Sequence, residues 1–159
     1  MPIVNFTGSR MAELLGFIES QHSWNSQSRE LGLSTFQESL GVPGLSPEDN
    51  CFLLEEDGRI QGFSLIFPEL PIGRAVIEMG IDRDLEGELR ELELIRRSVD
   101  RAREIGAKVA HICVAGYSSR AKMLEAEGFS HVRVYWDMVW RFTSEMLRWG
   151  RRGFGTRMQ

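Results

Sequence analysis

The chain has 159 residues, of which 42% are hydrophobic and 26% are charged. This length and composition predict one globular domain and exclude a disordered or fibrous chain. No apolar run approaches the roughly 20 residues that a membrane span needs, and the N-terminus lacks the pattern of a signal peptide. No cysteine–histidine cluster has metal-ligand spacing, so we expect no metal site. Without an apolar run of that length we expect no membrane partner. Cys51 and Cys113 lie in apolar runs, which predicts buried free thiols in a cytoplasmic protein.

The net charge of −4 is unevenly distributed along the chain. All acidic residues lie before Leu147, whereas the final stretch "RWGRRGFGTRMQ" holds four arginines and no acid. An acidic body argues against nucleic acid as the main partner, and it suits a cationic substrate such as an amine. We expect a single domain over residues 1–147, followed by a basic, flexible tail over residues 148–159.

The first half of the chain contains two helical patterns followed by strand patterns. The stretch "SRMAELLGFIESQHSW" repeats apolar residues at helical spacing, and a shorter helix is predicted around residues 34–40. "SPEDN" is predicted to be a loop. Two apolar runs, 51–54 and 60–67, flank Asp57-Gly58, which is the strongest short signal for a β-hairpin turn. A third strand follows over "RAVIEMGI", Arg74–Ile81.

The second half predicts a crossover between parallel strands. Apolar residues from Leu89 to Ile105 recur every three or four positions, which indicates a long amphipathic helix that Gly106 ends. "KVAHICVAG" is predicted as a fourth strand, buried on both faces. "SSRAKMLEAEGF" reads as a short helix and "HVRVYWDMVWRF" as a closing strand. Because a long helix joins the third and fourth strands, we expect them to be parallel neighbours in a mixed α/β sheet.

This order of elements resembles the GNAT superfamily of acyl-CoA-dependent N-acyltransferases over residues 6–142. "CFLLEEDGRIQGFSLIF" is similar to the second and third strands of the family. "RAVIEMGIDRDLEGELRELELIRRSVDRAREIGAK" is similar to its fourth strand, pyrophosphate turn and main helix. "SSRAKMLEAEGFSHVRVYWDMVW" is similar to the closing helix with its "GF" motif, and this ending resembles halves of tandem-GNAT proteins such as mycothiol synthases. The resemblance implies a mixed, mostly antiparallel central sheet with a parallel β-α-β core and flanking helices.

The resemblance also implies an acetyl-CoA site at the end of "RAVIEMGI". In GNAT enzymes the next turn reads Arg or Gln, two residues, Gly, one residue, Gly or Ala, and its backbone N–H groups close on the CoA pyrophosphate. The matching turn here keeps one glycine and carries several glutamates. These carboxylates oppose a phosphate if they face it, and they stabilise the helix start if they face away. The residues that the resemblance assigns to CoA are Met79, Gly80, Ile81, Glu86, Gly87, Glu88, Leu89 and Arg90.

Catalytic groups are implied by the same resemblance. Many GNAT enzymes place a tyrosine five residues before the "GF" phenylalanine to protonate the leaving thiolate, but Leu124 stands there and cannot donate a proton. Tyr117 is the nearest substitute, with loop packing as its alternative role. Glu78 is the candidate base that takes a proton from an attacking ammonium, unless it is an outward-facing strand residue. His111 is open to a similar choice between a base and a packed core residue.

Two functions are compatible with the sequence. The first is an N-acyltransferase that moves an acetyl group from acetyl-CoA to a primary amine of a small molecule or peptide. The second is a catalytically degenerate GNAT-like binding or dimerisation module without acetyl-CoA turnover. Large apolar residues alternate along the closing strand, Trp136 and Trp140 among them. They predict a homodimer that buries part of this strand or the hairpin edge.

Overall fold

The computed structural model describes residues 2–20, 36–114 and 119–132. Contacts divide the chain into two compact units, Met1–Phe129 and Ser130–Gln159, and the sheet with its helices lies in the first. Within the described ranges, no helix is long and apolar enough to cross a membrane. Most of residues 130–159 lies outside the description, so the single domain over 1–147 and the basic tail stay predictions.

The described strands form one mixed sheet, in the spatial order β1-β2-β3-β4-β5. The strands are β1 (Ile3–Asn5), β2 (Cys51–Glu56), β3 (Arg59–Glu69), β4 (Arg74–Ile81) and β5 (Val109–Ile112). Strands β1 to β4 pair antiparallel with their neighbours, and β4 pairs with β5 in parallel. The mixed, mostly antiparallel sheet and its parallel β-α-β core are therefore confirmed.

Helices flank the sheet; here one local prediction is wrong and one strand was not predicted. The helices are α1 (Met11–Ser20), α2 (residues 36–40), α3 (Pro47–Asn50), α4 (Leu89–Glu104) and α5 (Ser119–Ala126). The "SPEDN" stretch forms the single turn α3 and not a loop, because Pro47 fits the first helical position, where no N–H donor is needed. Strand β1 was not predicted, because three residues are too few to show a period, and it is fixed by pairing with β2.

Separate apolar cores lie on the two faces of the sheet. One core joins α1 and α2 to the sheet, and Phe63 of β3 makes edge-to-face ring contacts there with Phe17 and Phe36. The other core joins α4 to the sheet. Its members include Phe52, Leu54, Ile66, Ala75, Ile77, Ile81, Leu94 and Ala102.

Polar contacts fix where α4 lies along the sheet. Buried Ser98 hydrogen-bonds the hydroxyl of Ser64 on β3 at 2.8 Å. Nearer the end of α4, Arg101 Nε donates to Asn50 Oδ1 at 2.9 Å. The Arg97 guanidinium lies 4.3 Å from the centre of the Phe52 ring. These contacts hold α4 against α3, β2 and β3.

Strand β5 departs from its prediction. It was expected to be buried on both faces, but Val109 is 52% exposed and the other three residues are half-buried. The reason is its position, since β4 is its only paired neighbour among the described strands. Cys113, predicted to be buried, follows β5 and is exposed, whereas Cys51 is buried.

Candidate functional site

A cleft begins where β4 and β5 stop pairing. The parallel register runs from Arg74↔Val109 to Ile77↔Ile112 and ends there. Residues 78–81 of β4 remain paired with β3 on their other side, as far as Gly62↔Ile81. Among the described residues, the edge of β4 that faces β5 is therefore unpaired from Glu78 to Ile81. Backbone N–H and C=O groups on an unpaired strand edge can bind an extended, amide-containing ligand as a strand would.

The side chains of residues 79–81 do not point into the cleft, so the backbone is the group that is available to a ligand there. Met79 packs against the α4 core and Ile81 is buried in it. Gly80 lies under the ring of Phe63, and a Cβ at Gly80 would come within 2.7 Å of the Phe63 Cε1 atom. The structure thus brings together the three strand residues assigned to the acyl donor, and only their main-chain atoms can serve a ligand in the cleft.

Glu78 lies on the opposite face of β4 from Met79. It pairs across the strands with Leu65, a member of the core under α1, and cross-strand partners share a face. Its carboxyl is partly desolvated by the surrounding protein, which raises the pKa of Glu78. The residue as a whole is exposed, so water still reaches it and the desolvation is incomplete. His111 of β5 pairs with Val76, which lies two residues before Glu78 on β4, so His111 shares the face of Glu78.

The turn after β4 is short and tightly bonded. Asp82 N–H donates to the Gln61 carbonyl at 2.7 Å, and a 3-10 turn follows over Arg83–Leu85. Gly87 then takes a φ of 84°, in the left-handed region that favours glycine. A Cβ at this position would lie 2.8 Å from the Cβ of Ser119, the first residue of α5. Gly87 is therefore required both by its backbone and by the close approach of α5.

Glu91 occupies the inside of this turn. Its side chain is fully buried, and its Oε2 accepts a hydrogen bond from the Gly87 N–H at 2.6 Å. Its Oε1 accepts a hydrogen bond from Nε of Arg120 on α5. Arg120 is itself only 15% exposed at the side chain. The turn therefore holds a carboxylate of its own chain against the glycine amide that the resemblance assigns to a phosphate.

The other turn residues that the resemblance assigned to CoA, apart from Gly87, are exposed or half-buried. Glu86, Glu88 and Leu89 are exposed, and Arg90 is half-buried, 4.0 Å from Glu93. As at most helix starts, the first backbone N–H groups of α4, beginning at Leu89, have no hydrogen-bond acceptor among the described residues. The sequence left open whether the turn glutamates face the glycine amide or face away: Glu86 and Glu88 are exposed, and Glu91 faces the amide.

Glu91 and Arg120 were not singled out as site residues from the sequence. A partial signal existed for Glu91, because glutamate three residues after a helix N-cap often bonds back to the preceding backbone. Here the N-cap is Glu88, and the carboxylate reaches one residue further back, to Gly87. No local pattern marks Arg120, since its role depends on how α5 packs against α4.

The remaining sequence hypotheses concern the proton donor, the homodimer and a metal site. Leu124 is buried and apolar, so it supplies no proton in the described structure. Tyr117 and the aromatic residues of the predicted closing strand lie outside the described residues. The tyrosine's catalytic role and the homodimer therefore stay predictions. Within the described ranges, no group of histidine, cysteine, aspartate or glutamate side chains is arranged to hold a metal ion.

No protein-family model matches the sequence, and the search of curated proteins found no match. Solved structures do match. A Pyrococcus furiosus protein provisionally assigned as an acetyl transferase covers 87% of this chain and 98% of its own, with a TM-score of 0.63 and 18% identity. A ribosomal-protein-alanine N-acetyltransferase from Brucella melitensis covers 82% and 85%, with a TM-score of 0.60 and 17% identity. A transcriptional regulator from Bacillus halodurans covers 87% and 99%, with a TM-score of 0.63 and 13% identity. Together with the strand order and the β4–β5 cleft, these likenesses establish that the chain has the GNAT-like fold.

Proposed function

We propose that this chain is an N-acyltransferase that transfers an acetyl group from acetyl-CoA to a primary amine. The observation that carries the proposal is the unpaired edge of β4 from Glu78 to Ile81, with a carboxyl of raised pKa at its start. The GNAT-like fold that the chain shares with solved proteins described as acetyltransferases supports the reaction class.

The residues fit one part of acetyl-CoA and not another. Its pantetheine arm is an extended chain with two amides, which the backbone edge of residues 78–81 can bind as it would bind a strand. Its diphosphate needs free N–H donors, but the Gly87 N–H already donates to Glu91. The N–H groups at the start of α4 are free among the described residues, but the exposed carboxylates of Glu86 and Glu88 precede them and repel an anion. The pantetheine arm therefore fits the cleft, and the diphosphate does not fit the turn at Gly87.

Acetyl-CoA would supply the acetyl group as a thioester. Glu78 accepts a proton from the substrate ammonium, so that the amine nitrogen has a free lone pair. That nitrogen then forms a bond to the thioester carbonyl carbon and gives up its second proton to water, while the carbon–sulfur bond breaks and the thiolate leaves. The raised pKa of Glu78 makes its carboxylate a better proton acceptor than an ordinary glutamate. The proton for the thiolate is assigned to Tyr117, the nearest substitute for the tyrosine that the family places where Leu124 stands, and the tyrosine regains its proton from water.

The acceptor is proposed only as a class. A cationic amine, on a small molecule or a peptide, suits the acidic composition of the chain before its arginine-rich end. A cytoplasmic location belongs to the same proposal, because Cys51 and Cys113 are both free thiols.

Calorimetric titration and a transfer assay with a panel of primary amines test the proposal. We expect mid-micromolar or tighter binding of acetyl-CoA. We also expect Glu78→Gln to lower the transfer rate by about 10²–10⁴-fold while leaving donor binding unchanged. Glu56→Gln, an exposed change at the end of β2, is the matched control and should leave both unchanged. If no heat is detected at millimolar acetyl-CoA, the function is wrong and the binding or dimerisation module takes its place.

A further inference from the structure

We propose that Glu91 is an internal anion that occupies the phosphate position of the turn, so that the acyl donor is recognised through its pantetheine arm and not through its diphosphate. The substrate class is then an S-acyl pantetheine thioester, whatever group is attached beyond the pantetheine. The part about the internal anion stands on the geometry of the turn, and the part about the donor rests on the proposed function.

The first support is that both carboxylate oxygens of Glu91 are engaged. Oε2 accepts from the Gly87 N–H at 2.6 Å and Oε1 accepts from the Arg120 guanidinium. A backbone N–H of a glycine in a turn and an arginine are the donors that a phosphate would use. The carboxylate therefore makes the contacts that would otherwise be available to a ligand.

The second support is that the carboxylate is not readily displaced. Glu91 is fully buried, and separating it from Gly87 and Arg120 would leave a charged group inside the protein without partners. That penalty exceeds the attraction of a helix N-terminus for an anion. An incoming diphosphate would thus lose more than it gains by competing for the Gly87 N–H.

The third support is that the outside of the turn is also unfavourable to a diphosphate. The space beside the Gly87 Cα is filled by Ser119 of α5. Glu86 and Glu88 are exposed on either side of Gly87 and add negative charge there. In contrast, the backbone edge at residues 78–81 is unpaired among the described residues, so the pantetheine arm retains a binding surface there.

The inference is tested by removing the diphosphate from the acyl donor and, separately, the carboxylate from Glu91. Acetyl-CoA and S-acetylpantetheine are titrated calorimetrically into the wild type, Glu91→Ala and the control Glu125→Ala, an exposed change on α5. We expect the wild type and Glu125→Ala to bind the two donors within about threefold of each other, because the diphosphate of acetyl-CoA makes no favourable contact in either protein. We expect Glu91→Ala to bind acetyl-CoA about tenfold more tightly, because the freed Gly87 amide and Arg120 can then hold a phosphate together with the N-terminus of α4. A wild type that binds acetyl-CoA far more tightly than S-acetylpantetheine overturns the inference.

The exchange rate of the Gly87 amide tests whether Glu91 binds that amide, and this test needs no acyl donor. Hydrogen exchange of the Gly87 amide, followed by NMR, should be slow in the wild type and in Glu125→Ala and fast in Glu91→Ala. If Glu91→Ala does not fold, Glu91→Gln serves instead and should shift the Gly87 amide proton upfield. Rapid exchange of Gly87 in the wild type overturns the inference. If neither donor binds any variant, the proposed function and the donor part fail together, and slow Gly87 exchange still supports the internal anion.

Discussion

The edge of β4 and the turn that follows it lie next to each other in sequence but differ in what determines their chemistry. The edge is open because β5 stops pairing at Ile112, so its binding groups are main-chain atoms that nearly any sequence with this topology would present. The turn lies where the GNAT-like fold places its phosphate-binding turn, but one side chain, Glu91, changes what its backbone can bind. Proteins that share a fold therefore retain a strand-edge binding site more reliably than an anion site, because a single side chain can occupy the N–H donors of an anion site.

The ion pair inside the turn is expected to give the largest effect when it is broken. Arg120→Ala would leave the buried carboxylate of Glu91 without its cation, which typically costs about 3 kcal/mol of the free energy of unfolding. Arg96→Ala is the matched control, since Arg96 Nη2 lies 2.8 Å from Glu127 Oε1 and also links α4 to the end of α5, but in an exposed position. We expect a much smaller loss there, because water screens the pair. Urea denaturation of both variants measures the difference, and equal losses would show that Glu91 is not held as a charged, buried group.

A smaller effect is expected when the glycine of the turn is replaced. Gly87→Ala forces a side chain into the left-handed region and into contact with Ser119, so we expect a loss of about 2–3 kcal/mol of stability. Gly106→Ala is the matched control, because Gly106 has a φ of 88° but nothing within 4 Å of its Cβ position. Strain alone should cost that variant about 1 kcal/mol. Thermal and urea unfolding give both values, and equal losses would mean that α5 does not pack closely on the turn.

Most of the sheet could be predicted from the sequence, and the reason is visible in particular elements. The Asp57-Gly58 turn fixes the β2–β3 hairpin locally, and the periodic apolar face of α4 fixes the crossover that makes β4 and β5 parallel. Strand β1 could not be predicted, because its three residues are defined by their partner β2. The half-buried state of β5 could not be predicted either, because apolar composition does not show whether a strand has a second neighbour.

Less of the candidate site could be predicted. Glu78 and the β4 edge follow from the order of the elements, so the resemblance assigned them by position. The direction of the turn glutamates does not follow, because Glu88 and Glu91 are chemically identical. Glu88 is the exposed N-cap of α4, whereas Glu91 lies in the first helical turn and is buried. Arg120 was missed because it is brought to the turn by the packing of α5, across a sequence separation of 29 residues from Glu91.

The smallest expected effect concerns Glu78, at the start of the unpaired β4 edge. Partial desolvation raises the pKa of Glu78, so the folded protein binds this proton more tightly than the unfolded chain does. The stability contributed by the group is therefore fully present below the unfolded-state pKa, and it is lost as the pH rises through the higher folded-state pKa. Glu78→Gln never ionises, so its melting temperature should exceed that of the wild type by a small margin at neutral pH. The margin should disappear below about pH 4, where the wild-type carboxyl is protonated in both states.

Melting curves across this pH range, with Glu56→Gln as an exposed control, measure the Glu78 effect. The margin is expected to be small because Glu78 is reached by water on one side, which limits how much its burial can favour the neutral form. A variant that is less stable than the wild type at neutral pH would mean that the Glu78 carboxylate has a stabilising partner. In that case Glu78 would be a structural residue of β4, and the proton acceptor would have to be sought elsewhere on the same face, beginning with His111.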